Sequence, residues 1–259
     1  MKVLKSSSEI EVLGYTENYV EAITRAARTC YKSEAKDTAS NEKLLRRLIE
    51  SGHEAMVEMA DLTVRFKNIS RGFSHEMVRH RLCSFAQEST RYVDESDLHC
   101  VVPPHKDHTE GLNADSVYPI GEVISLEDML SSYEYNYGLL RSKGYAPGDA
   151  RQVLPIATRT EIVVKANMRE WRKIFQLRTA QDAHWEIRET MLKVLSWCKS
   201  NMPILVEDFS IQEDYAIQFI SNTRLAKLIK DRAKAMNTQT FYVVSEVGNT
   251  LNIYEDDRK

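Results

Sequence analysis

The sequence predicts an α+β fold with a central antiparallel sheet flanked by helices. Helix-like and strand-like segments are mixed without the regular β-α alternation of a doubly wound protein. The glycine-rich dinucleotide fingerprint of such proteins is missing. Leu62, Val64 and Phe66 alternate with polar residues, which is typical of a half-buried strand. An antiparallel sheet fits these observations better than a doubly wound one.

The first half of the chain predicts strands within residues 2–15 and a helix that Asn18 caps and that runs to about residue 31. A second amphipathic helix is expected at 41–51, stopped by Gly52. Ser70 is expected to begin a helix through Phe73 and Met77.

In the second half, residues 96–121 have no clear period and are expected to form a long loop or an insertion. Helices are expected at 126–143, from Pro147 to Pro155, at 169–177 and at 184–199, with a further helix-like stretch at 215–236. Strands are expected at 161–166 and 241–244. We expect one domain over residues 1–210 and an extension over 211–259 that packs on it.

Composition excludes several classes of protein. The chain has 259 residues, of which 42% are hydrophobic, and its net charge is only -3. A protein that binds nucleic acid by electrostatics usually carries a basic excess, so no nucleic-acid partner is expected. No apolar run is long enough for a membrane span or a signal peptide, and the four cysteines show no paired spacing. The sequence therefore predicts a soluble cytoplasmic protein with reduced thiols.

Against this near-neutral background, six cationic side chains fall within 21 residues: Arg71, His75, Arg79, His80, Arg81 and Arg91. Guanidinium groups hold phosphate or carboxylate oxygens with two parallel hydrogen bonds, so the cluster suits an anion site. If the chain from Arg81 to Arg91 is extended, Gln87, Ser89 and Arg91 share one face and suit a nucleotide. A solvated charged face is the alternative that composition leaves open.

The order of the residues carries more information than the composition. Arg79-His80-Arg81, followed after seven residues by Ser89, reads RHRLCSFAQESTRY and resembles the signature of the flavin-dependent thymidylate synthases. Further blocks resemble the same family in the same order, over about residues 10–205: 52–54, 75–78, 151–155, 167–169, 177–178 and 185–187.

The resemblance implies the reductive methylation of dUMP to dTMP. In such enzymes 5,10-methylenetetrahydrofolate donates the one-carbon unit, reduced FAD donates the hydride and NADPH reduces the flavin again. The family also implies a homotetramer whose active sites are shared between chains. FAD in a groove between subunits would explain why the dinucleotide fingerprint is missing.

Site residues follow from the resemblance position by position. The positions that match dUMP contacts are Glu76, Met77, Val78, Arg79, Gln87, Glu88, Ser89, Thr90, Arg91, Arg151 and Arg178. The positions that match FAD contacts are His53, Ala55, Arg79, His80, Arg81, Gln87, Asn167, Met168, Arg169 and Lys173. No resident metal is expected.

Arg178 is the expected catalytic residue. A guanidinium group is too weak an acid to lose its proton, so it cannot serve as a base. Arg178 would instead stabilise negative charge on the uracil ring electrostatically. Ser89 lacks an obvious adjacent base and is expected to contact the substrate, not to attack it. Cys83 is expected to be a packed thiol, so no covalent enzyme nucleophile is predicted.

The chain departs from common family forms in places. Glu76 stands where many members carry Gln, and Ala55 where some carry a hydroxyl residue. Lys173 falls at a variable position. The alternative function, of a different class, is a non-catalytic nucleotide- or RNA-binding module that uses the arginine cluster without redox chemistry.

Overall fold

The computed structural model describes residues 1–5, 8–34, 37–104, 125–211, 216–218, 241–247 and 250–256. Its helices and strands follow one another as β1 (Lys2–Lys5), β2 (Glu9–Tyr15), α1 (Tyr19–Tyr31), α2 (Thr38–Glu50), β3 (Asp61–Ser70), α3 (Arg71–Met77), β4 (Ser84–Gln87), β5 (His99–Val102), α4 (Leu126–Ser142), α5 (Pro147–Ala150), β6 (Arg159–Asn167), α6 (Met168–Arg178), α7 (Trp185–Asn201), β7 (Phe209–Ile211), β8 (Ala216–Gln218), β9 (Phe241–Val247) and β10 (Thr250–Asp256). Short 3₁₀ helices cover Glu54–Met59, Arg151–Val153 and Pro203–Leu205.

A four-stranded antiparallel sheet with the order β2-β3-β6-β4 is the main sheet. In its β4–β6 pair, Ser84 lies opposite Lys165 and Gln87 opposite Ile162. Smaller sheets pair β1 with β5 in parallel, and β7 with β8 and β9 with β10 in antiparallel. Helices are interspersed between these strands, so the predicted α+β class with an antiparallel sheet is confirmed.

The chain divides into two compact units. The first unit contains Met1–Leu13 and Thr63–Lys165, and the second contains Gly14–Leu62 and Ala166–Lys259. The predicted boundary at residue 210 is a different division, and it stays a prediction.

In the first unit, strand β3 has one apolar and one charged face. Val64 and Phe66 are fully buried, and the Phe66 ring packs against Phe73 with 5.4 Å between centroids. On the other face, Arg65 pairs with Glu161 at 2.5 Å, and Lys67 pairs with Glu11 at 2.6 Å. Because such half-exposed pairs contribute little, the buried face supplies most of the stability of this strand.

Helix α4 closes a small core over β5. Leu98, Cys100 and Val102 pack with Leu130 of the helix. Ser125 begins α4 with a capping box, in which its hydroxyl accepts from the Asp128 N–H and the Asp128 carboxylate accepts from the Ser125 N–H. Burial raises the pKa of the Cys100 thiol to about 12, which keeps it protonated at neutral pH.

Helix α6 forms the core of the second unit. Trp171 and Phe175 are fully buried with 5.9 Å between their rings, and the Trp171 Nε1–H donates to the Leu62 carbonyl at 2.9 Å. Between them in sequence, the buried Arg172 makes a bidentate pair with Asp208 at 2.6 and 2.5 Å. It also donates to Glu54 at 3.1 Å and to the Leu205 carbonyl at 2.7 Å.

Most predicted elements are confirmed near their expected bounds, including α1, α4, α7 and β6. Two details differ. The Asn18 side chain makes no capping hydrogen bond, and α2 begins at Thr38 because Asp37 caps it through the Ser40 N–H.

Two longer predictions were partly wrong. The expected loop at 96–121 contains strand β5, which pairs with β1, and its residues 105–121 lie outside the described residues. In the helix-like stretch at 215–236, residues 216–218 form β8; the other residues of that stretch lie outside the described part of the chain. In the first case a partner strand distant in sequence overrides local propensity, and in the second β8 pairs with β7, which lies just before it in the chain.

Across the described residues, no helix combines the length and the apolar character that crossing a membrane requires.

Replacing Arg172 by Met should destabilise the protein by about 3–5 kcal/mol, because Asp208 and Glu54 would lose the cation that compensates them in a buried place. Urea unfolding measures this loss. The control is Arg46→Met, which removes exposed ion pairs to Glu42 and Glu207 and should cost about 0–1 kcal/mol. Equal losses in the two variants would contradict the role of Arg172.

Candidate active site

The signature segment follows directly from the junction of β3 and α3. Ser70 ends the strand and caps the helix, because its hydroxyl accepts from the Phe73 N–H at 3.0 Å. Phe73 and Met77 are fully buried and fasten the short helix to the core. The chain therefore turns at a defined place, where Arg79 N donates to the Glu76 carbonyl at 3.3 Å.

The three residues of the RHR motif differ in exposure. Arg79 and Arg81 are exposed, whereas His80 is buried with 5% of its surface accessible. Over the ranges that the structure describes, the side chains of Arg79 and Arg81 form no hydrogen bond or ion pair with the protein. Two cationic groups are thus available to a ligand at one turn.

The predicted extended row from Arg81 to Arg91 was wrong. Strand β4 covers only Ser84–Gln87, and a turn begins at Thr90. The turn forms because the N–H groups of Tyr92 and Val93 both donate to the Ser89 carbonyl, each at 3.0 Å. Gln87, Ser89 and Arg91 therefore do not lie in line on one strand face.

Gln87 is held by two hydroxyl groups. Its Nε2 donates to Ser74 Oγ at 2.9 Å and to Thr160 Oγ1 at 3.3 Å, so the amide plane is fixed between α3 and β6. Since the amide nitrogen is used inside the protein, the side chain presents its oxygen to any ligand.

A cavity of about 390 Å³ lies in the first unit. Its lining includes Arg71, His75, Thr90, Arg151, Gln152 and Thr158, and none of the described residues that line it is a carboxylate. Arg151 Nη1 donates to Thr90 Oγ1 at 3.3 Å, and this pair connects two of the predicted dUMP contacts. Two guanidinium groups and an imidazole around a cavity of this size suit a phosphorylated small molecule.

Backbone hydrogen bonds hold the wall of this cavity to the start of α3. Arg71 N donates to the Thr158 carbonyl at 2.9 Å, and Gly72 N donates to the Ile156 carbonyl at 3.0 Å. A Cβ at Gly72 would lie 3.1 Å from Ser70 Oγ, so a larger residue would crowd the cap. The Arg71 side chain donates from Nη2 to the Glu88 carbonyl at 2.9 Å.

The other predicted dUMP contacts of the first unit differ in exposure. Met77 is fully buried, so only its backbone could meet a ligand, whereas Val78 is exposed. Glu76 and Ser89 are partly exposed, and the exposed Arg91 stacks over Tyr92 at 5.5 Å.

The remaining predicted flavin contacts lie in the second unit. Asn167 caps α6, since its Oδ1 accepts from the Glu170 N–H at 2.9 Å. The exposed Arg169 pairs with Glu58 at 2.5 Å, and Met168 is fully buried. His53 and Ala55 lie at the start of the 3₁₀ helix that contains Glu58, and Lys173 is exposed.

Arg178 is the last residue of α6 and is partly exposed.

His53 also lines a second cavity of about 470 Å³ with Arg28 and Arg47. A larger cavity of about 880 Å³ runs along α1 and the start of α2, and none of the predicted site residues lines it.

Several residues of the cavity were missed as site residues. Arg71 and His75 were recognised only as members of the basic cluster, and Gln152 and Thr158 were not singled out. The spacing of four residues between Arg71 and His75, which puts them on one face of a helix, was the signal available in the sequence. Gln152 and Thr158 carry no such signal, because their loop has no period.

Comparisons with known proteins identify the family of this chain. The family described as "Thymidylate synthase complementing protein" matches residues 11–204. A "Flavin-dependent thymidylate synthase" of Corynebacterium glutamicum is 37% identical over 196 residues, which cover 72% of this chain and 78% of that protein. The protein of the same name in Mycobacterium tuberculosis strain H37Ra is 35% identical over 199 residues, with the same coverage.

Among solved structures, a UMP/dUMP methylase, PolB from Streptomyces cacaoi, bound with 5-Br dUMP, superposes with a TM-score of 0.63 at 22% identity. The superposition covers 80% of this chain and 96% of that one, and it shows a shared fold. The α+β fold and the matched segments thus define the thymidylate synthase complementing class. The chain belongs to the family of flavin-dependent thymidylate synthases, so the predicted family and enzyme class are confirmed.

Replacing Asn167 by Ala should cost about 1 kcal/mol of stability, because α6 would lose its N-terminal cap. The matched control is Asn18→Ala at the same position of α1, where no side-chain capping bond exists, and its effect should stay within about 0.5 kcal/mol. Urea unfolding of both variants measures the difference. A larger loss for Asn18→Ala would contradict this assignment.

Proposed function

We propose that this protein methylates dUMP reductively to dTMP, with 5,10-methylenetetrahydrofolate as the one-carbon donor, FADH2 as the hydride source and NADPH as the reductant. The observation that carries the proposal is the cavity lined by Arg71, His75 and Arg151, which has cationic groups and no carboxylate among the described residues of its lining. It adjoins the signature segment through Thr90, and the curated relatives are named for this reaction.

The nucleotide phosphate binds to the cationic cavity. Arg151 is oriented by Thr90, and Arg71 by the Glu88 carbonyl, so both guanidinium groups are positioned before the ligand arrives. Preorganised donors lose less entropy on binding, which favours affinity. Glu76, Ser89 and Arg91, with the backbone of Met77 and Val78, complete the proposed dUMP contacts.

Arg79 and Arg81 would hold the flavin. Their exposed guanidinium groups, without protein partners in the described residues, fit an anionic isoalloxazine or a pyrophosphate by their charge and donor geometry. The flavin, when bound, supplies the hydride. His80, being buried, would order the turn between the two arginines. The other proposed flavin contacts are His53, Ala55, Gln87, Asn167, Met168, Arg169 and Lys173.

Arg178 stabilises the negative charge that builds up on the uracil ring when C5 becomes nucleophilic. It stays a cation at neutral pH, so its contribution is electrostatic and not proton abstraction. Arg178 is the last residue of α6, and the buried side chains of that helix limit the movement of Arg178.

No covalent nucleophile is required. The Ser89 hydroxyl accepts only from the Arg91 N–H at 3.4 Å, and the described residues place no general base against it. Cys100 and Cys198 are buried, and burial raises both thiol pKa values to about 12. These thiols stay protonated at neutral pH and are poor nucleophiles.

We further propose a homotetramer with active sites shared between chains. Membership of the family, for which the sequence resemblance implies such an assembly, supports it.

The decisive test is anaerobic turnover of the purified protein reconstituted with FAD. With dUMP, methylenetetrahydrofolate and NADPH present, dTMP should form, and omission of any one of them should prevent it. Chromatographic detection of dTMP is the measurement. Binding of FAD and dUMP without dTMP formation under these conditions would sink the proposal.

A Ser89→Ala variant should keep turnover within about tenfold of the original protein, because it loses one hydrogen bond to the substrate and no nucleophile. The change should fall mainly on the KM for dUMP. Loss of turnover by more than about a thousandfold with unchanged dUMP affinity would instead make Ser89 a nucleophile.

A further inference from the structure

Glu95 carries a buried carboxylate and follows the signature segment shortly after it in the chain. Only 6% of its surface is exposed, and its Oε1 has no hydrogen-bond partner in the described part of the chain. The loop is held by α4, since the Glu95 N–H donates to the Tyr137 hydroxyl at 3.2 Å and Arg141 pairs with Asp94 at 2.9 Å. The carboxylate is therefore fixed in a place where water does not solvate it.

Charged groups from several elements face Glu95. Arg71 of α3 and Arg159 of β6 attract it, whereas Glu88 and Asp94 repel it. Among the described residues, neither arginine forms an ion pair with Glu95, and Arg141 already neutralises much of the charge of Asp94. From β5, the Cys100 thiol also faces it and stays uncharged.

Burial and the neighbouring Glu88 raise the pKa of the Glu95 carboxyl, while Arg71 opposes the rise. Among the cations that face Glu95, Arg71 lowers the pKa of its carboxyl the most. Its Nε is buried and has no hydrogen-bond partner in the described residues, so its charge acts through space.

Arg71 connects Glu95 to the nucleotide cavity. It lines the cavity, whereas Glu88 and Glu95 do not. A phosphate dianion beside Arg71 would offset much of the positive potential that Arg71 produces at Glu95. A buried carboxylate that loses its compensating charge takes up a proton instead of remaining ionised.

We propose that Glu95 binds a proton from solvent when a nucleotide phosphate enters the cavity, and releases it when the nucleotide leaves. The inference rests on the proposed function, since it takes dUMP to be the nucleotide. Glu95 does not touch the substrate; it regulates the affinity of the site through the charge of Arg71.

The sign follows from linkage. If binding raises the proton affinity of Glu95, dUMP binds more tightly with the carboxyl protonated, and the Kd rises as pH increases through its titration. A change of one unit in the proton affinity corresponds to up to about tenfold in Kd. Gln at this position imitates the protonated carboxyl at every pH.

The test measures the Kd of dUMP from about pH 5 to about pH 8 in the original protein and in Glu95→Gln. The two should agree at low pH, and Glu95→Gln should bind up to about tenfold more tightly at about pH 8. Titration of the phosphate itself, with a second pKa of about 6, is common to both proteins and cancels in the ratio. Asp97→Asn, an exposed carboxylate of the same loop whose side chain is 84% accessible, is the control and should follow the original protein.

His75 is another ionisable side chain of the same cavity, so calorimetry in buffers of different ionisation enthalpy uses the variant His75→Gln. At the pH where the Kd of the original protein rises most steeply, proton uptake on binding dUMP should be larger in His75→Gln, which keeps Glu95, than in Glu95→Gln. Uptake that is no larger in His75→Gln than in Glu95→Gln, or a Kd ratio near one at every pH, would overturn the inference while dUMP binding left the proposed function standing. Failure of the original protein to bind dUMP at any pH would overturn both.

Discussion

The junction between β3 and α3 is the constraint on which the first unit depends. A strand with a fully buried face ends at Ser70, whose hydroxyl becomes the cap of the following helix. The next two N–H groups, of Arg71 and Gly72, donate to the loop before β6. One point in the chain therefore fixes the turn with the RHR motif and, at the same time, the wall of the cationic cavity.

Charge is used differently in the two units. In the second unit, the buried Arg172 pairs with Asp208 and Glu54 and donates to a backbone carbonyl, so its charge stabilises the fold. In the first unit, Arg71 makes a single side-chain hydrogen bond within the described part of the chain, and it faces a cavity. Incomplete pairing leaves a field that a ligand can use, and such groups are typical of functional sites.

Sequence reasoning located most elements because each depends on a local signal. Leu62, Val64 and Phe66 alternate, and the structure buries all three. The signature likewise identified the family, because a motif is read from its order alone. Reasoning failed where a distant partner decided the conformation: β5 exists because β1 pairs with it, about a hundred residues away in sequence.

The sequence by itself determined the family, the α+β class and the residues that candidate contacts must come from. Only the tertiary structure decided what those residues can do. It ended the extended segment at Gln87, turned that amide towards Ser74 and Thr160, and put a buried Glu95 near Arg71. The physical reason is that periodicity is a property of neighbours along the chain. Charge balance and hydrogen-bond satisfaction depend instead on groups that only folding brings together.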